Sequence, residues 1–187
     1  FLIECFKRLL DTFKNESTIK NAILQNGYNN IEKWIIEHNL YGVDIDKELV
    51  EKTKKTFSNL CNENLEDLSF NLFHGNTLLS EIKEKIDYDF FKIKFDFLFG
   101  NPPYSKKINK EEKNKYFTIY SESIGGHPNL CTLFIHKSIE MLNQGGILGY
   151  LVSSPYISAY YHRNLRKLII KRTKINEMLR FEDRKRV

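Results

Sequence analysis

The chain has little of what would tie it to a disulfide-stapled, metal-clustered or membrane-spanning design. It holds three cysteines, Cys5, Cys61 and Cys131, which are far apart and lack the close spacing of metal ligands. Neither a disulfide framework nor a metal site is expected, and the three read as free thiols. There is no N-terminal signal pattern and no apolar run long enough to cross a bilayer, which points to the cytoplasm. No internal repeat or low-complexity tract is present. An initiator Met is also missing. Phe1-Leu2-Ile3-Glu4-Cys5-Phe6 enters a helical pattern at once and without a cap, so we expect a piece of a longer protein. Proline is scarce, with four in 187 residues, and two of the four are adjacent at Pro102 and Pro103.

What is present describes a globular chain. Hydrophobic residues make up 41% and charged residues 28%, which excludes a disordered chain and suits one core of ordinary size. The formal net charge is +5. That balance suits a polyanionic partner without demanding one.

The stretch around which the chain is organised is Phe95-Asp96-Phe97-Leu98-Phe99-Gly100-Asn101-Pro102-Pro103-Tyr104. Its first half, apolar except for Asp96 and ended by Gly100, predicts a buried strand. In its second half two prolines fix φ near −65° and remove two backbone donors, so carbonyls there are available to accept. The expected result is a stiff arm at the carboxyl end of a strand, holding one amide, one or two carbonyls and one aromatic ring. In open α/β sheets ligands bind at that end.

Asn-Pro-Pro-Tyr after an apolar strand resembles the catalytic motif of S-adenosylmethionine-dependent amino-methyltransferases. It looks most like the adenine-specific DNA methyltransferases of restriction–modification systems. The resemblance implies that the Asn101 side-chain oxygen and the Pro102 carbonyl accept the two hydrogens of the target amine. It implies that Pro103 stiffens the turn and that Tyr104 stacks on a base extruded from the duplex. It further implies S-adenosylmethionine as cofactor, double-stranded DNA as partner, and a fused or associated endonuclease and specificity domain. Residues 1–187 then form a single, incomplete catalytic domain. The Gly-rich cofactor loop is expected upstream and a DNA-reading domain downstream, both outside this sequence. Methylation of a protein glutamine or of an RNA base amine, which uses the same motif, stays open at this point. So does a DNA-binding module without methyl transfer.

In chain order, residues 1–14 have helical spacing, 15–30 are polar, and a helical stretch surrounds 31–37. Leu40-Tyr41-Gly42-Val43-Asp44 reads as a parallel strand with an acid at its end. By the resemblance Asp44 holds the cofactor ribose and Ile45 packs on its adenine. Asp46 is placed to cap the next helix, about 47–60, with Leu49, Val50, Phe57 and Leu60 directed inward. Residues 70–75 predict another strand, with His74 half-buried. Asn76 and Thr77 follow as cofactor residues, Asn76 standing where the resembled family commonly has Asp. Residues 82–94 read as a surface helix or linker, and 105–115 as a Lys-rich loop. A helix over 129–143, a Gly145-Gly146 turn and a strand over 147–152 come next. Residues 159–172 predict a basic helix and 175–181 a last strand. This alternation argues an α/β, Rossmann-like methyltransferase fold, a mostly parallel sheet flanked by helices.

Overall fold

Apolar side chains recur every three or four positions at the start of the chain, and this segment folds as α1, Leu2–Asn15, burying Phe6. The computed structural model describes residues 1–103, 108–126, 129–153 and 155–181. The chain divides into two units, Phe1–Asp87 and Tyr88–Val187.

In the first unit α1 is followed by α2 (Ser17–Gln25), α3 (Ile31–His38), β1 (Tyr41–Asp44), α4 (Lys47–Cys61), β2 (Asn71–Asn76) and the two-residue β3 (Glu81–Ile82). Strands β1 and β2 are parallel, in register from Tyr41 opposite Asn71 to Asp44 opposite His74, and α4 is the crossover between them. β3 runs antiparallel to β2. Phe6, Ile35, Ile36, Leu40, Val50, Phe57 and Leu72 form the core. Phe6 and Phe57 meet edge to face with ring centres 5.6 Å apart, an arrangement that suits the ring quadrupoles. Capping sets the helix starts. The Asn30 side chain accepts from Lys33 N at 3.0 Å, and the Asp46 carboxylate accepts from Glu48 N and Leu49 N.

Three expectations are corrected, the third for a stretch that runs on into the second unit. The polar segment after α1 contains the helix α2, which is tied down by the buried Ile23. In α4 the buried side chains are Val50, Phe57, Ser58 and Cys61, whereas Leu49 and Leu60 are exposed. Each lies one residue, about 100° of helical rotation, off the buried stripe. Residues 82–94 form no helix, only the end of β3 and a 3₁₀ turn over Phe90–Lys92.

The second unit contains β4 (Phe95–Gly100), α5 (Lys110–Ile119), α6 (Leu130–Met141), β5 (Leu142–Tyr150), the short α7 (Pro155–Ser158) and α8 (Arg163–Arg172). β4 and β5 are parallel, with Phe97 opposite Ile147 and Gly100 opposite Tyr150, and the register shifts between Phe95 and Phe97. That irregularity takes up the Gly145-Gly146 pair, with Gly145 at φ +82°. The predicted turn is therefore a bulge inside a strand that begins earlier than expected. Cys131, Ile135, Tyr156, Leu165 and Leu168 form the core here, with Tyr150 and Val152 packed on it.

Again there are corrections. The organising strand is not buried on both faces: Phe97 is 60% and Phe99 47% exposed. Among the described residues β4 pairs with one strand only, and the helical core of this unit meets the face that carries Tyr150. Half of the expected Lys-rich loop is helical, because Asn109 and Glu112 form a reciprocal capping box and Tyr116 is buried. Residues 175–181 form no strand, and Leu179 and Phe181 are exposed. The α/β architecture with parallel strands and flanking helices is as expected. Among the described residues its strands form two sheets, β1–β2–β3 and β4–β5.

A buried polar cluster links α6 to the turn after α5. His136 Nδ1 lies 2.9 Å from Ser123 Oγ, His136 Nε2 lies 3.4 Å from Glu140 Oε1, and Tyr120 meets the imidazole edge to face. Burial lowers the His136 pKa below the ordinary histidine value, with Arg172 acting in the same sense and Glu140 and Glu122 opposing. The unfolded chain therefore takes up this proton more readily than the folded one. The stability contribution is complete above the ordinary histidine pKa and is lost as pH falls through the lower folded one. Urea midpoints compared at about pH 7.5 and about pH 5.5 should fall more for the wild type than for His136→Gln; equal falls would remove His136 as the cause.

Candidate active site

β4 delivers its carboxyl end through a close approach. A Cβ on Gly100 would lie 2.8 Å from the Tyr150 ring, so a side chain at position 100 would have to displace that ring. Tyr150 is held in turn by a hydrogen bond between its hydroxyl and that of Ser138. The Gly100 carbonyl accepts from Leu151 N at 3.3 Å, which carries the pairing one step past the strand. The chain then leaves as Asn101-Pro102-Pro103, with Asn101 exposed, Pro102 buried and Pro103 exposed. The buried Pro102 anchors the arm while Asn101 is presented outward. Among the described residues no donor reaches the Pro102 carbonyl. Tyr104, the expected base-stacking ring, lies outside the described residues.

In the first unit the parallel pairing brings Asp44-Ile45 and Asn76-Thr77 to the carboxyl ends of adjacent strands. Asp44 Oδ1 accepts from Asp46 N at 2.9 Å, a local turn that orients the carboxylate. Ile45 is 57% exposed, an apolar surface offered beside that acid. This acid–apolar pair fits the ribose and adenine of a nucleoside cofactor. Asn76 has a structural use that sequence reasoning missed. Its Oδ1 accepts from Leu78 N at 3.1 Å and Leu79 N at 3.3 Å, capping the 3₁₀ turn Thr77–Leu79. The signal was in the sequence, since Asn before a short helical run is a common N-cap. Thr77 is half-buried at the start of that turn. His74 is half-buried within β2, and its backbone N–H donates to the Glu84 carboxylate. Among the described residues no group of three or more His, Cys, Asp or Glu is placed to hold a metal, and no helix is long and apolar enough to cross a membrane.

The family model of the Eco57I restriction-modification methylase matches residues 38–187, a span that contains all of these positions. The chain belongs to this methylase family. Its relatives include the type II methyltransferase M.AccI of Acinetobacter calcoaceticus, 28% identical over 72% of this chain and 23% of that protein. M.VspI of a Vibrio strain is 27% identical over 69% of this chain and 28% of its own length. The Escherichia coli protein RM.Eco57I, named as a restriction enzyme and methyltransferase, is 25% identical over 97% of this chain and 21% of its length. This methylase-family chain thus spans about a quarter of the length of these three relatives. Among solved structures it is similar to a class I S-adenosylmethionine-dependent methyltransferase from Listeria monocytogenes, with a TM-score of 0.48 and 20% identity over 70% of this chain and 35% of that one.

The cap at Asn76 gives a test that needs no cofactor. Asn76→Ala should lower stability by about 1 kcal/mol, the usual worth of an N-cap, and Asn76→Asp should keep it, read from urea midpoints. An unchanged midpoint for the Ala variant would show the cap to be dispensable.

Proposed function

We propose that this chain is the catalytic part of a methyltransferase acting on the exocyclic amine of adenine in double-stranded DNA, as the modification activity of a restriction–modification system. The observation that carries the reading is the arm after β4, where Asn101 is exposed and Pro102 buried at the carboxyl end of a strand. S-adenosylmethionine, when bound, supplies an electrophilic methyl group. Asp44 and Ile45 are the residues that fit it, with Asn76 and Thr77 at the neighbouring strand end.

The rest of the chemistry belongs to the chain. Adenine's amine is a poor nucleophile because its lone pair is delocalised into the ring. Asn101 Oδ1 and the Pro102 carbonyl accept its two hydrogens and draw the nitrogen toward tetrahedral geometry. Positive charge develops on that nitrogen during transfer, so both hydrogen bonds strengthen on the way to the transition state. No covalent intermediate with the protein is needed, and positioning supplies much of the acceleration. The base must leave the duplex to be reached, and Tyr104 is the ring on which it stacks. RM.Eco57I joins restriction and methylation in one name, and a fused or associated endonuclease and specificity domain belong to the same reading. So does work on DNA in the cytoplasm.

Incubation with labelled cofactor and unmethylated duplex tests the roles. Asn101→Ala should cut transfer by about 10²–10³-fold, the cost of losing one transition-state partner, with cofactor affinity unchanged; a wild-type rate in this variant would overturn the assignment. Tyr104→Ala should weaken capture of the extruded base by about 1–3 kcal/mol. Label appearing in protein or RNA and never in duplex DNA would overturn the choice of substrate.

A further inference from the structure

From Met141 to Asn176 the chain has no Asp or Glu, although the whole sequence carries 24 acids in 187 residues and several would be expected over that length. The same stretch holds Arg163, Arg166, Lys167, Lys171, Arg172 and Lys174. The structure sorts these cations by what they touch. Arg166 donates to the Ala159 carbonyl at 2.8 Å and the Tyr156 carbonyl at 3.4 Å, fastening the start of α8. Lys171 and Arg172 both meet Glu122. Arg163, Lys167 and Lys174 are exposed and have no carboxylate within ion-pair distance among the described residues.

Arg163 and Lys167 do nothing for α8 itself. Arg163, Lys167 and Lys171 are four apart on one face, where like charges repel. The first turn has no acid to complement the helix dipole. The opposite face buries Leu165 and Leu168. Lys171 is offset by Glu122 and by its place in the last turn, whereas nothing among the described residues offsets Arg163 and Lys167.

Two aromatic rings continue the stripe. Tyr160 is 79% and Tyr161 54% exposed, yet the 3₁₀ turn that carries them, Tyr160–His162, is tightly held. His162 stacks on Tyr156 at 4.0 Å, and its Nδ1 lies 3.2 Å from Thr132 Oγ1. Asn164 donates to the Ile124 carbonyl at 2.8 Å. A Cβ on Gly125 would lie 2.8 Å from the Tyr161 carbonyl. The backbone that carries the rings is thus held, and the rings are left in water. Chain order and pairing put this turn beyond the carboxyl end of β5, whose Tyr150 pairs with Gly100, the residue before Asn101.

We infer that the ridge running from Tyr160 and Tyr161 along Arg163, Lys167 and Lys174 binds the phosphate backbone of duplex DNA. This inference rests on the reading of the chain as a DNA methyltransferase and assigns that reading a surface. Cations without an ion-pair partner among the described residues and exposed phenols are donors to phosphate oxygens, and the stretch itself adds no acid, the neighbouring Glu122 being engaged by Lys171 and Arg172. From Arg163 to Lys171 the helix runs about 12 Å, room for about three or four phosphates of one strand.

The test is the salt dependence of binding by the 187-residue chain to a labelled DNA duplex, followed by fluorescence anisotropy. The triple variant Arg163→Gln, Lys167→Gln, Lys174→Gln should bind roughly tenfold or more weakly at about 0.1 M salt, with the slope of log affinity against log salt reduced by roughly 2 to 3. A control of equal charge change in the first unit, Lys7→Gln, Lys20→Gln, Lys55→Gln, should leave the slope near wild type. Circular dichroism melting of each variant reports folding separately. Equal losses in both variants, or none in the first, would overturn the ridge while leaving the methyltransferase reading intact. Loss of binding to anionic phospholipid vesicles with duplex binding unchanged would overturn it in favour of a membrane surface. A wild-type chain without salt-dependent affinity for duplex would overturn the ridge, whereas labelled methyl transfer to duplex decides the methyltransferase reading separately.

Discussion

The constraint on which the candidate site depends is the fit of Gly100 against the ring of Tyr150. Two parallel strands have to run side by side up to the point where the chain turns into Asn101-Pro102-Pro103. A side chain at position 100 would push Tyr150 aside and with it the hydroxyl pair with Ser138, which reaches into α6. The arm is therefore rigid for two separate reasons. Proline restricts its own torsions, and the strand that launches it is locked to its neighbour by an aromatic ring. Burial of Pro102 then fixes which way the arm points. Chemistry that relies on a backbone carbonyl needs this, because a carbonyl cannot be re-aimed by a rotamer change.

The other strand ends follow a different strategy. At β1 and β2 the polar side chains are first used to shape their own loops. Asp44 catches Asp46 N–H, Asp46 caps α4, and Asn76 caps the turn that follows it. The same bonds that stop the strands shape the loops after them, and substitution there would loosen both.

Much of this was legible in the sequence because it is periodic or punctuated. β1, α4, β2, β4 and α6 announce themselves through apolar spacing and through Asp, Asn and Gly at their ends. The misses share a physical cause, which is that burial depends on neighbours a linear pattern does not name. The apolar run of β4 reads as fully buried, yet Phe97 and Phe99 lie on a face that the helices of their unit do not cover. Leu49 and Leu60 look inward by composition, but the phase of α4 is set by Val50, Phe57 and Cys61. α2 is hidden by Asn, Ser and Thr, weak helix formers, and it exists because Ile23 has a core to enter. The extended segment after α8 has strand-like residues but no described partner to pair with.

The way Asp44 and Asp46 close on themselves has a consequence for the residue between them. Ile45 belongs neither to the ladder behind it nor to the helix ahead, since both flanking carboxylates are already engaged with main-chain amides. It stands on a pedestal made by its neighbours, and the pedestal does not depend on what is mounted there. The side chain at this position can be exchanged without disturbing the junction that displays it.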